Sequence, residues 1–399
     1  MSELYELPDG WEWKKLEDVF LIQRGGSPRP IKDYITENED GINWIKIGDT
    51  KKGEKYITRT AQKIKPEGLK KSRLVIEGDF LMSNSMSFGR PYIVKTKGAI
   101  HDGWLLMREK SDNIDKDFFY YLFSSNYMYQ QFSAKASGTT VKNLNINLVK
   151  LTDIPLPPLQ EQKRIVSKLD SLFEKIDKAI ALHQKNIDEV NVFMGSVLND
   201  VFVELEEKYE TVAVGNITEC IVPQRNKPKQ FIGDIQWITT DDLILFNKIS
   251  KSSKGLGLRK EEIEESQSKI IPKESVLMSC VGYLGMVSIA NIDMVVNQQL
   301  HTFQCSELIN NKFLMYALYV KKDYMYSIAN ITTIAYMNKS KCNSIPVPVP
   351  PLKTQQKTVT YLDSISKELE TLKQTQKEKM ESLVALKASI LDQVFRGEL

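Results

Sequence analysis

Histidine and cysteine are scarce in this chain of 399 residues, and their scarcity limits its chemistry. Only His101, His183 and His301 occur, so histidine-dependent catalysis has few candidates. The cysteines Cys220, Cys280, Cys305 and Cys342 stand far apart, with no Cys-x-x-Cys. That spacing argues against a zinc site and a disulfide framework, and points to buried free thiols. No run of about 18 apolar residues is present, which excludes a membrane-spanning helix. The opening Met1-Ser2-Glu3-Leu4-Tyr5 lacks a basic stretch followed by an apolar one, so no secretory signal is expected and the cytoplasm is the expected location. The dipeptide Gly-Lys is absent, and with it any P-loop. Gly-x-Gly-x-x-Gly and the Asn/Asp-Pro-Pro-aromatic element of an amino-methyltransferase are absent too. Pro8-Asp9-Gly10-Trp11-Glu12-Trp13-Lys14 superficially suggests a nuclease signature, but its spacing is too short to flank a metal, so it reads as a turn and a strand start. His101-Asp102 suggests an acid–base pair, but its counterpart is Asn297-Gln298, which favours a structural role.

What is present is enough apolar sequence for real cores, 42%, with 26% charged residues, a globular mix. The length calls for two or more domains. A repeat organises them, with an offset of 193 residues. Trp44 matches Trp237, Thr139-Thr140 matches Thr332-Thr333, and Pro157-Pro158-Leu159 matches Pro350-Pro351-Leu352. Gln162 matches Gln355, Leu169-Asp170-Ser171 matches Leu362-Asp363-Ser364, and Phe202 matches Phe395. Between these anchors the offset drifts to 196, where Leu81-Met82-Ser83 matches Leu277-Met278-Ser279 and Gly89 matches Gly285. Loop insertions and deletions in equivalent domains produce such a drift.

Each copy has two parts. Residues 1–157 and 208–349 carry short apolar runs broken by Gly, Pro, Asn and Asp, such as Asp79-Phe80-Leu81-Met82 and Tyr92-Ile93-Val94. These read as strands of a mixed α/β (α+β) domain. Phe118–Phe123 and Phe313–Tyr316 read as helices against that core. Residues 158–207 and 350–399 read as two long helices, each entered through a stiff Pro-rich lead. Apolar residues recur at 3-4 spacing: Leu169, Leu172, Ile176, Val190, Phe193 and Val197 in the first, and Leu362, Ile365, Leu369, Leu372, Leu383, Leu386 and Ile390 in the second. A period near 3.5 over four heptads is a coiled-coil seam. A chain ordered globule–helix–globule–helix closes if the helices pair antiparallel, with the units related by a pseudo-twofold axis. The seam turns polar at His183 and Asn186 and at Gln376 and Lys379, which antiparallel pairing brings together as a register-fixing level. Each helix of about 45 residues reaches roughly 65–70 Å. Two similar heads on a rigid spacer suit a two-part target with a set gap, and DNA is the natural one.

The charge pattern agrees. Residues 46–73 carry ten Lys/Arg against three Asp/Glu, and basic residues recur over 223–260. Such loops neutralise phosphates. The candidate DNA-contacting residues are Arg24, Lys46, Lys51, Lys52, Arg59, Arg73 and Arg90 in the first copy, with Ser83 and Asn84 as polar readers. In the second copy they are Arg225, Lys227, Lys254 and Arg259, with Thr239, Thr240 and Tyr283. No catalytic or metal-ligating residue is expected.

Several segments together resemble a known family: the opening Leu7-Pro8-Asp9-Gly10-Trp11-Glu12, the Ile-Pro-x-Pro-Pro-Leu-x-x-Gln segment at 154–162 with its longer counterpart at 345–355, Gln160-Glu161-Gln162-Lys163-Arg164-Ile165, and the ending Val394-Phe395-Arg396-Gly397-Glu398-Leu399. The chain resembles, over its full length, the specificity subunit of type I restriction–modification systems. The resemblance implies two target recognition domains, each binding half of a bipartite double-stranded DNA sequence. It further implies helices that set the gap and dock two modification (methyltransferase) subunits, and restriction subunits that join for cleavage. S-adenosylmethionine, ATP and magnesium are then expected only on those partners, and no cofactor on this chain. The second lead is two residues longer than the first, a departure that bears on the angle of the second domain. The competing class is a coiled-coil scaffold that never touches DNA, against which the duplicated basic loops speak. A self-sufficient methyltransferase-nuclease would need a further domain of about 200 residues.

Overall fold

The computed structural model describes residues 5–51, 53–84, 89–134, 136–137, 143–144, 146–224, 226–331 and 333–398. The chain divides into two compact units, 1–183 with 378–399, and 184–377. The divisions fall inside the two long helices, Leu159–Lys208 and Leu352–Phe395, so each unit holds one head and part of both helices.

In the first unit, Phe20–Arg24, Trp104–Glu109, Phe80–Ser83, Pro91–Val94 and Tyr56–Ile57 form a sheet in that spatial order, antiparallel except for its last, parallel pair. Both faces of this sheet are buried, which explains runs of apolar sequence without polar alternation. Phe80, Met82, Leu105 and Met107 face the helices Lys116–Ser124 and Asn126–Ala134 and the long helices. Leu81, Tyr92, Val94 and Leu106 face a second sheet and pack on Ile45, Val75 and Ile100 from it. That outer sheet has five strands: Ile35–Thr36, Gln62–Ile64, Ile42–Ile45, Gly98–Ile100 and Arg73–Val75. Trp44, Ile64 and Ala99 line its far face.

The second unit repeats this plan. Its inner sheet runs Thr218–Ile221, Leu300–Cys305, Val276–Ser279, Val287–Ala290 and Lys248–Ile249, with the same antiparallel pairs and the same final parallel pair. Asn311–Val320 and Lys322–Ile328 cover its inner face. The outer sheet is smaller, with Gly257–Leu258, Ile235–Ile238 and Val295–Val296, and Trp237 stands where Trp44 stands in the first. Equivalent turns follow the equivalent strands. Gly89 and Gly285 adopt positive φ, 78° and 77°, and donate their N–H to Ser83 and Ser279. A side chain at either would be strained.

The Pro-rich leads are extended, as expected, and each is recruited into a two-stranded pair: Asp153–Leu156 against Glu12–Lys15, and Pro346–Pro348 against Thr211–Ala213. Within each unit the two long helices run antiparallel. In the first, residues 165–172 lie by Val394 while the Lys387 ammonium sits 2.8 Å from the Asp177 carboxylate. In the second, Met194, Leu198 and Phe202 share a core with Val359 and Leu362, and Asn186 reaches Gln376 at 3.5 Å. The Asn186–Gln376 half of the expected polar level is therefore formed, with Gln376 buried. Lys379, in contrast, is exposed: its ammonium stays in water.

The seam itself needs one correction. Leu169, Ile176, Val190 and Leu362 are buried, and Leu172, Val197, Ile365, Leu369, Leu383 and Ile390 pack partly against the cores. Phe193, Leu372 and Leu386 do not belong to it, being 53%, 42% and 47% exposed. The packed stripe passes instead through buried Met194 and Leu198, and through buried Gln376 and Val394 with half-buried Leu383, Lys387 and Ile390 between them. Lys387 takes a seam position by laying its ammonium 4.8 Å over the Phe173 ring while pairing with Asp177.

Candidate nucleic-acid interface

In the first head, strand Ile42–Ile45 ends in a short turn, Ile47–Asp49, closed by the Asp49 carboxylate accepting the Lys46 N–H at 2.8 Å. Beside it the loop 27–32 overhangs a cleft of about 1020 Å³. Its floor is apolar, built from Ile35, Trp44 and Ile47, and its charged lining is cationic, from Arg29, Lys32 and Lys46. Two of these cations are held in place. Arg29 lies 3.3 Å from Asp102, which also accepts from the Ser27 hydroxyl at 2.9 Å. Lys46 donates to Gln62 at 2.9 Å. Burial pushes the Asp102 carboxyl up, but the hydrogen bond from Ser27 and the charges of His101 and Arg29 outweigh it and hold the group below its ordinary value. Burial lowers the His101 pKa, with Asp102 partly opposing. The His101 ring wedges between Trp44 and Trp104, 6.2 Å from each, and its Nε2 lies 3.1 Å from the Ile47 N–H. It supports the turn, as the structural reading of His101-Asp102 anticipates. An apolar floor under fixed cations suits a polyanion whose bases enter the cleft.

The second head keeps the framework and changes the surface. Strand Ile235–Ile238 ends in the equivalent turn Thr240–Asp242. Asp242 accepts from the Thr239 N–H at 2.7 Å and from the Ser253 hydroxyl at 2.6 Å. Burial raises the Asp242 pKa, but these bonds more than offset it. The outer cavity here, about 270 Å³, is lined by Arg259 together with Glu261, Glu262 and Glu265. Two heads of one inner-sheet topology thus carry outer cavities that differ in place and in charge.

The candidate residues fall into three groups. Arg24, Lys51, Arg59, Arg73 and Arg90 in the first head, and Lys227, Lys254 and Arg259 in the second, are exposed, while Lys46 is half-buried at the cleft. Among them Arg24 donates to the Asp102 carbonyl at 3.2 Å, and Lys254 is paired with Asp241 at 2.6 Å. Thr240 and Tyr283 reach the surface. Tyr283 is 60% exposed, under the Lys322 ammonium at 4.0 Å. Ser83, Asn84 and Thr239 are corrections. Ser83 and Asn84 are buried and have no surface to offer a base edge, and the Thr239 hydroxyl is turned inward to Asp242 at 3.0 Å. Lys52 and Arg225 lie outside the described residues, as do the repeat anchors Thr139, Thr140 and Thr332. Residues missed by sequence reasoning are Arg29, Lys32 and Gln62. Arg29 sits in a Pro-rich loop that reads as a mere connection, and only its pairing with Asp102, 73 positions away, marks it. Lys55 is basic but structural: it pairs with Asp117 at 2.7 Å and lies over the rings of Tyr56, Tyr120 and Tyr121.

Among the described residues no group of three or more His, Cys, Asp or Glu is placed to hold a metal ion, and no helix is long and apolar enough to cross a membrane. The architecture is that of a duplicated recognition protein, two α/β heads carried on paired long helices. The model of the type I restriction modification DNA specificity domain matches twice, at residues 8–192 and 206–382, and the chain belongs to that family. It is 27% identical over 440 residues to the type I restriction enzyme MjaX specificity subunit of Methanocaldococcus jannaschii, covering all of this chain and 96% of that one. To the EcoBI specificity subunit of Escherichia coli it is 23% identical, over all of this chain and 88% of that one. A chain from a structure of a type I restriction–modification system, solved for its complex assembly and conformational transition, superposes with a TM-score of 0.71 at 22% identity, over 99% and 100% of the two chains. The HsdS subunit from Thermoanaerobacter tengcongensis superposes with a TM-score of 0.54 at 22% identity, over 99% of each. The protein is a DNA-recognition specificity subunit of the type I restriction–modification class.

Proposed function

We propose that each head reads one half of a bipartite double-stranded DNA target, and that the long helices set the gap between the halves and dock two modification subunits. The observation that carries this reading is the pair of heads with one inner-sheet topology and unlike outer cavities, cationic in the first and rich in glutamate in the second. Equal frameworks serve an equal task, and unequal surfaces serve unequal half-sites. In the first head Arg29 and Lys46 at the cleft, together with Arg24, Lys51, Lys52, Arg59, Arg73 and Arg90, contact phosphates and base edges. In the second head Arg225, Lys227, Thr240, Lys254, Arg259 and Tyr283 do so. This chain is the non-catalytic member of the assembly. Adenine methylation with S-adenosylmethionine belongs to the modification subunits, and ATP- and magnesium-dependent cleavage to the restriction subunits.

Phe193 and Leu386 support the docking. They occupy equivalent positions, 193 residues apart, and both are about half exposed. Exposed apolar side chains at matched places on two helices fit two copies of one partner. Exchanging residues 1–150 for those of another family member and sequencing the methylome tests the reading. The exchange changes one half-site and leaves the other. A target altered in both halves defeats the assignment of one half-site to each head, and DNA binding that is absent with and without the modification subunit favours a scaffold.

A further inference from the structure

Both heads are fastened to the long helices by the same two-point clamp. In the first unit the Gln162 side chain, 1% exposed, accepts the Asp115 N–H at 2.7 Å and donates to the Pro157 carbonyl at 2.9 Å. Asp115 is the residue that caps the head helix Lys116–Ser124. Six residues along that helix, the Tyr121 hydroxyl donates to Asp170 at 2.5 Å, and Asp170 lies eight residues beyond Gln162 on the long helix. In the second unit Gln355, fully buried, accepts the Asn310 N–H at 2.8 Å and donates to the Pro350 carbonyl at 2.8 Å. Asn310 caps Asn311–Val320, and six residues along, the Tyr316 hydroxyl donates to Asp363 at 2.8 Å, again eight beyond the glutamine.

These four partners recur while their surroundings differ. A lysine attends each clamp, but from different parts of the chain: Lys55 over the Tyr121 ring in one, Lys312 paired with Asp363 in the other. The outer sheets differ in size and the outer cavities in charge, as described above. Residues that stay the same through such divergence perform a task common to both heads. One contact between a helix and a head is a pivot. Two contacts, spaced about 9 Å along one helix and about 12 Å along the other, fix the angle between them.

We infer that the pairs Gln162/Tyr121–Asp170 and Gln355/Tyr316–Asp363 are positioning residues for gap measurement: they set the angle of each head on the ruler helices and so the gap length the complex accepts. The inference rests on the reading that the heads take half-sites and the helices set the gap. One base pair more or less in the gap turns one half-site by about 34° relative to the other, so a head free to pivot accepts what a clamped head refuses.

The test uses the full chain assembled with its modification subunits. Duplexes carry the target established from the wild-type methylome, with its own gap, with a gap one base pair shorter or longer, or with one mismatch in either half-site. Initial methyl-transfer rates are compared for wild type and for Tyr121→Phe with Tyr316→Phe. The preference for the native gap is expected to fall at least tenfold, while discrimination against mismatches changes less than twofold. An unchanged gap preference overturns the inference, and so does an equal loss of both discriminations. Asp170→Ala with Asp363→Ala, which removes the acceptor and keeps a good helix former, gives the same readout should the phenylalanine variant fail to fold. Val94→Ala, in the separate core between the two sheets of the first head, is the control for lost stability. If it relaxes the gap as much, the clamp has no special part. A one-heptad insertion in each long helix is run alongside. If it leaves the gap unchanged, the ruler reading itself fails. If it shifts the gap while the tyrosine variants keep theirs strict, only the clamp fails.

Discussion

The Arg108 guanidinium grips both carboxylate oxygens of Asp79, at 2.7 and 2.5 Å, and Asp79 is almost completely buried at the start of an interior strand of the first inner sheet. The same carboxylate accepts the Ile76 N–H at 2.8 Å. The second head has Ser275 and Gln304 at the corresponding positions, so the ion pair belongs to one head only.

Removing the guanidinium leaves a buried charge without its partner. Arg108→Met is expected to destabilise the first unit by about 3 kcal/mol. The second unit keeps its stability. Hydrogen exchange resolved by segment checks this, with loss of protection expected over the strands of residues 80–109 and none over 276–305.

His301 is buried beside Cys342, with its Nδ1 3.1 Å from the thiol sulfur, and burial lowers its pKa to about 4. The unfolded chain takes up a proton near pH 6.5, and the folded one only near pH 4. The unfolded state therefore binds more protons between those values, so stability falls as pH drops through that window. The loss is on the order of 3 kcal/mol by pH 4, confined to the second unit. His301→Gln is expected to flatten this dependence in urea unfolding followed between pH 4 and 7.

Asn186 and Gln376 meet across the antiparallel helices of the second unit at 3.5 Å. A double-mutant cycle with leucine at each position is expected to give a coupling of about 1 kcal/mol. The double variant is expected to be as stable as wild type or more so, and less strict in helix register, since buried polar contacts specify alignment at a cost in stability. Thermal unfolding reads the coupling, and cysteine cross-linking across the helices reads the register.

Arg29 and Lys46 stand at the cationic cleft of the first head. Replacing Lys46 with Gln is expected to weaken DNA binding and reduce the slope of log affinity against log salt by about 1, if it meets a phosphate. Arg29→Gln, if Arg29 reads a base, is expected to cost about 1–3 kcal/mol against the native half-site and to relax preference at one position. Fluorescence anisotropy over a salt series separates the two outcomes. Equal binding by both variants at all salt concentrations would remove the cleft from the interface.

The duplication, the alternation of heads and helices, and the antiparallel pairing were all legible in the amino-acid order. They follow from spacing alone: a 193-residue offset, short apolar runs between turn residues, and a 3.5-residue period after a Pro-rich lead. Spacing does not settle phase where apolar residues are adjacent. Val192, Phe193 and Met194 are consecutive, and both Phe193 and Met194, three and four residues after Val190, continue the heptad. Only packing decided that Met194 turns inward and Phe193 outward, and that the stem and charge of Lys387 occupy the seam position beside Leu386.

The sequence by itself also determined that basic charge gathers after the first tryptophan strand and on both sides of the second. It could not sort those charges, because a lysine's role depends on what lies within a few ångströms, and those neighbours come from distant stretches. Tertiary structure placed Lys55 among tyrosines, hid Ser83 and Asn84, and joined Arg29 to Asp102 over a cleft. The glutamines at 162 and 355 were visible as repeat anchors. Only the fold revealed why they recur: each ties a long helix to the cap of a head helix, a contact that exists once the chain has folded back on itself.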